Sequence, residues 1–297
     1  MLSVLILTRN EQHDLPGCLA SLRWCDDVVV YDSHSTDDTE AISRAHGARF
    51  VQRPNQDLSI SFGGDEGFHR TWALRQIVFR HSWLLVLDAD ERLSIEAYEE
   101  IVELLSSDKA FNHSAGFDPP VAYQLRRRDF FQGRHLKHVQ ATPWYIRIFR
   151  PEHVHYERLI NPTTVVNGRV ASLHGFIDHY PFSKGLSHWI ARHNTYSTLE
   201  ARQFSSSSLA STSSLFSLAF FSPDFHIRRA YQKQLFMQLP ARPIFKFVFL
   251  YVFKLGFLDR APGFTYALLQ SIYEYFIALK VREYHSNPDI PETSSRF

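Results

Sequence analysis

Two aspartates one residue apart, Asp88-Ala89-Asp90, follow directly on the apolar run Trp83-Leu84-Leu85-Val86-Leu87. In extended geometry residues i and i+2 point to the same side. Both carboxylates can therefore face one hard divalent cation, which keeps several waters and also takes up a diphosphate. Such a cation neutralises charge that develops on a leaving diphosphate. Asp32 similarly ends the run Val28-Val29-Val30-Tyr31 and opens Ser33-His34-Ser35-Thr36-Asp37. A carboxylate there can accept hydrogen bonds from a base or a ribose, and a helix N-terminus just beyond it favours anions. Thr8-Arg9-Asn10-Glu11 closes a third run, Ser3-Val4-Leu5-Ile6-Leu7. It can be a turn into a helix, or it can offer Glu11 to ribose hydroxyls. Each motif alone has a bland explanation as a turn or helix cap, and Thr36 and Asp37 read as caps. His153-x-His155 and His135-x-x-His138 have metal-ligand spacing, but zinc needs further ligands that the sequence does not supply. Surface or core histidines are the preferred reading.

The elements that must position these groups alternate strand and helix over the first hundred residues. Continuous apolar runs at 3–7, 28–31 and 83–87 are what strands covered on both faces require. Phe50-Val51 reads as a short strand between them. Between the first two, Asp14 can cap a helix with Pro16 just inside, and Leu15, Cys18, Leu19 and Leu22 recur at helical spacing. Ser35 or Thr36 can cap the next helix, with Asp37, Asp38 and Glu40 favouring its positive end, and Gly47 stops it. A further helix is expected near 66–80. This β-α-β-α order implies an α/β chain with a parallel sheet and helices on both faces, and ligands then bind beyond the carboxyl ends of the strands. Residues 122–180 read as mixed strands, with 145–149 and 164–166 the clearest, and 187–202 as a helix.

The chain has 297 residues, 44% of them hydrophobic, enough for one large domain or two modest ones. Its 32 basic and 31 acidic side chains lack the excess positive charge of a nucleic-acid binder, so no nucleic acid is expected as partner. Two cysteines, Cys18 and Cys25, are too few for a disulfide framework. Leu2 to Leu7 has neither a basic region before it nor a cleavage site after it, so a cytoplasmic location is expected. Residues 205–214 are almost all Ser, Thr and Ala, a low-complexity stretch that suggests three parts: a catalytic domain at 1–203, a Ser-rich linker or insertion at 204–235, and a C-terminal helical segment at 236–297. In that last part the apolar run 243–254 is too short to span a membrane, which needs about 20 residues. Arg242, Lys246 and Lys254 fall on one side of a helix at 100° per residue. Two readings stand: an interfacial helix with a basic face on a membrane surface, or a core helix. A last helix is expected at about 265–284.

Taken together, Val4 to Glu11, Val30 to Thr39 and Trp83 to Glu91 resemble glycosyltransferase family 2 in order and spacing. The resemblance is closest to the branch of lipopolysaccharide-core β-1,4-glucosyltransferases and covers about 1–200 and 236–285. Arg70-Thr71, Arg147-Ile148-Phe149-Arg150, His155-Tyr156-Glu157, His179-Tyr180 and Asn194-Thr195-Tyr196-Ser197 also fall where that branch has related segments. So does the run from Lys254 to Phe264. Three positions depart from its pattern: His34 stands for a usual glycine, Thr71 for a usual asparagine, and Tyr156 separates His155 from Glu157.

The resemblance implies a GT-A fold with a C-terminal helical extension and an inverting transfer from a nucleoside-diphosphate sugar, UDP-sugars being favoured. It implies that Thr8, Glu11 and Asp32 bind the nucleoside, and that Asp88 and Asp90 hold Mg²⁺ or Mn²⁺ and the diphosphate. Arg70 and Arg147 would contact the diphosphate, and Glu157 would be the general base. The acceptor it implies is a cell-envelope glycan or glycolipid, met by a protein peripheral on the cytoplasmic (inner) membrane face. Two other functions compete. A sugar nucleotidyltransferase would need a Gly-rich loop after the first strand, and Thr8-Arg9-Asn10-Glu11 has no glycine. A catalytically degenerate nucleotide-binding or scaffold protein would draw on the three departures.

Overall fold

The computed structural model describes residues 2–54, 66–106, 118–140, 142–157, 162–206 and 241–286, with isolated positions at 232, 236 and 239. In chain order the elements are β1 (Leu2–Thr8), α1 (Leu15–Ala20), β2 (Val28–Asp32), α2 (Thr39–Ala45), β3 (Arg49–Gln52), α3 (Glu66–Gln76), β4 (Trp83–Asp88), β5 (Glu91–Leu93) and α4 (Ile95–Ser106). Then come β6 (Ala122–Phe131), β7 (Arg134–His135), β8 (Trp144–Phe149), β9 (Val154–Glu157), β10 (Thr163–Val166) and β11 (Val170–His179). Helices α5 (Gly185–Ser206), α6 (Arg242–Val248) and α7 (Arg260–Ser286) complete the described chain.

The main sheet runs β3-β2-β1-β4-β8-β6-β11-β5, with β7 paired onto β6. It is parallel across β3-β2-β1-β4 and mixed beyond, because β8 enters antiparallel to both β4 and β6. The four parallel strands are the ones expected; β1, β2 and β4 are near-continuous apolar runs because both faces are covered, whereas the edge strand β3 exposes Arg49 and Gln52. Val4, Ile6, Val30, Leu85 and Leu87 pack on one face with Leu15, Cys18 and Leu19 of α1 and with Ala97 and Ile101 of α4. The alternate residues Leu5, Val29, Tyr31, Leu84 and Val86 pack on the other with Ala73 of α3 and Ile77.

Some local expectations shift. Asp14 makes no side-chain cap to α1; its carboxylate accepts a hydrogen bond from Ser183 Oγ at 2.8 Å. Helix α2 begins at Thr39, later than Ser35 or Thr36 would start it, and Asp37 accepts the Thr39 N–H at 3.1 Å. Gly47, at φ +76°, ends α2 as expected.

The chain forms two compact units, Met1–His135 with Thr142–Lys184, and Leu136–Ala141 with Gly185–Phe297. The division therefore falls before α5, whereas the sequence suggests one after 203; most of the Ser-rich stretch, 207–231, lies outside the described residues. Helix α5 belongs to the second unit because it packs along α7. There Lys280 Nζ donates to Asn194 O, Ser197 Oγ and Thr198 Oγ1 at 2.6–2.8 Å. Among the described residues no helix is long and apolar enough to cross a membrane.

Candidate active site

Parallel pairing sets the strand ends level. Thr8 lies opposite Asp32, and Leu7 lies opposite Asp88. The three polar strand ends therefore meet at one edge of the sheet, as the topology of an α/β sheet dictates.

The first two ends are stitched together by their own loops. Asn10 N–H donates to Ser35 Oγ at 2.7 Å, Thr36 N–H to Asn10 Oδ1 at 2.8 Å, and Glu11 N–H to Thr39 Oγ1 at 2.8 Å. Asn10 and His34 both adopt left-handed backbone, φ +54° and +57°. A side chain in this backbone conformation at His34 costs about 1–2 kcal/mol. Asp32 is buried, and both its oxygens are taken, Oδ1 by the Thr8 and Ser35 hydroxyls and Oδ2 by the Ser35 N–H. Thr8 and Asp32 thus shape the loop. Glu11 is different. Its Oε1 meets Lys184 Nζ at 2.6 Å, while Oε2 is buried with no hydrogen-bond partner. Burial raises the Glu11 carboxyl to about 7 against the opposing pull of Lys184.

The third end carries the densest charge. Asp88 receives Arg70 Nη2 on Oδ1 at 3.0 Å and Arg147 Nη2 on Oδ2 at 3.3 Å. Arg70 also holds Glu66 at 2.8 Å and lies over the Tyr156 ring at 5.9 Å. Arg147 reaches Glu91 Oε1 at 2.5 Å, and Glu91 Oε2 accepts the Asp88 N–H at 3.0 Å. Burial pushes the Asp88 carboxyl up, but Arg70 and Arg147 together hold it well below the usual carboxylate range. Burial raises the fully buried Glu91, with Arg147 opposing. Arg147 reaches this place through a β-bulge. Tyr123 pairs with Ile148 and Gln124 with Ile146, leaving Arg147 as the extra residue of β8. Bulges of this kind re-aim a side chain next to a site.

Asp90 sits beside His179, Nε2 to Oδ2 at 3.3 Å, and His179 Nδ1 meets Asp129 Oδ1 at 2.6 Å. Antiparallel pairing of β5 with β11 sets His179 opposite Glu91 and so brings it to the aspartate loop. Burial opposes protonation of His179, but the carboxylates at its two ring nitrogens win and raise it to about 9. Asp88 and Asp90 are hard oxygen donors of the kind Mg²⁺ or Mn²⁺ takes, and a cation there would share the Asp88 oxygens with Arg70 and Arg147. Among the described residues no group of three or more His, Cys, Asp or Glu is arranged to hold a metal by itself.

Glu157 is placed apart from this cluster. It ends β9 on the two-stranded β9–β10 ribbon, its side chain is 62% exposed, and its Oε1 lies 3.5 Å from His155 Nε2. No hydrogen bond or ion pair joins it to Asp88 or Arg147 among the described residues. The hydroxyl of Thr71 turns back to Gly67 O at 2.8 Å and stays outside the cluster. The histidine pairs go elsewhere: His138 Nδ1 binds Asp259 at 2.9 Å, and His153 Nδ1 faces Asn167 O at 3.0 Å. A hollow of about 810 Å³ between α3 and the β9–β10 ribbon is lined by Thr71, Arg75, His153, His155 and Asn167.

Residue patterns alone assign no role to Glu91, Asp129, His179 or Lys184. Their signal was positional: Glu91 follows the aspartate pair, and His179 closes a strand.

The family model for glycosyl transferase family 2 matches residues 3–167. A level row of polar strand ends on a sheet of this order is the GT-A arrangement, and the chain belongs to glycosyltransferase family 2. It is a glycosyltransferase. Among curated relatives it is 28% identical over 218 residues to the lipopolysaccharide core biosynthesis glycosyltransferase LpsC of Rhizobium meliloti, spanning 68% of this chain and 71% of that one. It is 26% identical over 213 residues to an uncharacterized glycosyltransferase of Rickettsia typhi, spanning 68% and 67%. Among solved structures, Staphylococcus aureus TarS 1-349 aligns over 95% of this chain and 91% of its own, with 14% identity and a TM-score of 0.38.

Proposed function

We propose that this glycosyltransferase moves a sugar from a nucleoside-diphosphate donor, a UDP-sugar first, to a hydroxyl of a cell-envelope glycan or lipid-linked acceptor. The anomeric centre inverts, and the enzyme works as a peripheral protein at the cytoplasmic membrane face. The observation that carries the donor assignment is the convergence of the buried Arg147 and the part-buried Arg70 on Asp88 at the edge where β1, β2 and β4 end level. Thr8, Glu11 and Asp32 would bind the nucleoside, with Glu11 accepting hydrogen bonds from ribose hydroxyls through its unpartnered Oε2. The relationship to LpsC supports the envelope acceptor.

Asp90, with Asp88, would hold Mg²⁺ or Mn²⁺, which when bound neutralises negative charge on the diphosphate. Arg70 and Arg147 supply fixed positive charge to the same oxygens as the donor's anomeric C–O bond breaks and its electron pair leaves with the diphosphate. Glu157 would take the proton of the acceptor hydroxyl as its oxygen attacks from the opposite face. Its exposure leaves it open to an acceptor, and the hollow lined by neighbouring His155 is of ligand size.

A panel of nucleotide sugars with purified protein, with and without EDTA, tests this through release of nucleoside diphosphate. Asp90→Ala and Glu157→Gln should each lower turnover about 100-fold or more. Wild-type turnover in both would overturn the assignment.

A further inference from the structure

The C-terminal unit presents the reverse of the basic interfacial helix that is one of the two arrangements its sequence allows. Arg242 is buried, and it and Lys246 each lie 3.9 Å from Glu274 of α7. Two of the three cations of the expected basic face are thus turned inward. The inner side of α6 and the π-helical turn Phe249–Phe253 is completed by Phe247 and Tyr251, whose rings pack edge-on against Phe264 at 5.7 and 5.5 Å. What faces outward is apolar: Ile244 is 67% exposed, Phe245 52%, Phe249 50% and Phe253 74%, with Val248 and Val252 between them. Leu255, Phe257 and Leu258 extend the surface past the turn, each 45–49% exposed. Contiguous exposed apolar surface of this kind marks an interaction site.

The charges around it select the occupant. Between 241 and 272 the sequence holds one carboxylate, Asp259. It is buried, accepting the backbone N–H groups of Lys137, His138 and Val139 at 2.8–3.2 Å. The exposed charges on this stretch are Lys254 and Arg260, both cations. A second copy meeting the same face would bring those cations together with no carboxylate to pair them. An anionic lipid surface offers hydrocarbon for the phenylalanines and negative headgroups for the two cations.

We infer that the face made by Phe245, Phe249, Phe253 and Phe257 inserts into an anionic lipid interface, with Lys254 and Arg260 at headgroup level. This rests on the peripheral-membrane assignment above and specifies its mode: insertion of apolar side chains, in place of adsorption through a basic helix face.

The test is sedimentation of the full chain with phosphatidylcholine vesicles, with and without phosphatidylglycerol, at low and high salt. The wild type should bind the anionic vesicles and keep a substantial part of that binding in high salt. Phe249→Glu/Phe253→Glu should weaken binding at least about tenfold, since two large apolar side chains lose their burial. Nucleoside diphosphate release in solution should stay unchanged. Lys246→Glu should bind as the wild type does, because Lys246 faces Glu274. If the double variant binds as tightly as the wild type while Lys246→Glu abolishes binding, the inference falls and the peripheral assignment stands. If no vesicle binds the wild type, both fall. A dimer in sedimentation velocity that Phe253→Glu dissolves would assign the face to a second copy and overturn the inference.

Discussion

At the residue scale the site is an electrostatic arrangement in which burial and pairing compete. Glu11 shows burial winning: its carboxyl rises from 4.5 to about 7 despite Lys184. A raised carboxyl in the folded state binds its proton when the unfolded chain has already released it. Stability from this group is therefore lost as pH rises from about 4.5 to about 7. Glu11→Gln should remove that slope and, at pH 8, stabilise the protein by about 1–3 kcal/mol in urea unfolding. Burial raises the Glu91 carboxyl as well, against Arg147. It is fully buried but bonded to Arg147 and to the Asp88 N–H, so Glu91→Ala leaves Arg147 with Asp88 as its remaining close carboxylate. Breaking a buried pair costs about 3–5 kcal/mol, measurable in the same unfolding experiment.

At the element scale, the loops and the bulge do what single residues cannot. The β1–α1 and β2–α2 loops hold each other through Asn10, Ser35 and Thr36, at the expense of left-handed backbone at His34. His34→Gly should relieve that strain and raise stability by about 1 kcal/mol, read as a shift in the urea midpoint. Gly175 of β11 lies against the Ala97 backbone of α4 so closely that a Cβ would collide with it. Gly175→Ala should push α4 off the sheet and cost about 1–3 kcal/mol. The Lys254–Phe264 segment is likewise a packing device in its own unit. Asp259 gathers three backbone N–H groups, and Gly263 allows close approach to Gly256 O.

At the scale of the whole molecule, binding is linked to folding. A ligand that binds the folded chain alone stabilises it by about 2.7 kcal/mol at a hundredfold excess over Kd. UDP with Mn²⁺ should therefore raise the melting temperature, and Asp90→Ala should abolish most of that shift. Differential scanning fluorimetry checks this without an acceptor.

Much of this was legible in the sequence, because both-face burial writes itself as unbroken apolar runs. Val28–Asp32 and Trp83–Asp88 are visible for that reason, and strand order in an α/β chain then puts their polar ends at one edge. Asp88, Asp90, Arg70 and Glu11 follow from local pattern and resemblance. Tertiary structure alone decided the partners. Whether Asp32 is free or bonded depends on Ser35 and Thr8 closing around it. Arg147 reaches Asp88 only through a bulge whose register needs β6 alongside. His179 arrives from across the β5–β11 pairing. The direction of the α6 face was also a tertiary matter. Helical spacing puts Arg242 and Lys246 on one side, but Glu274, far along the chain, turns that side inward and leaves the phenylalanines facing out.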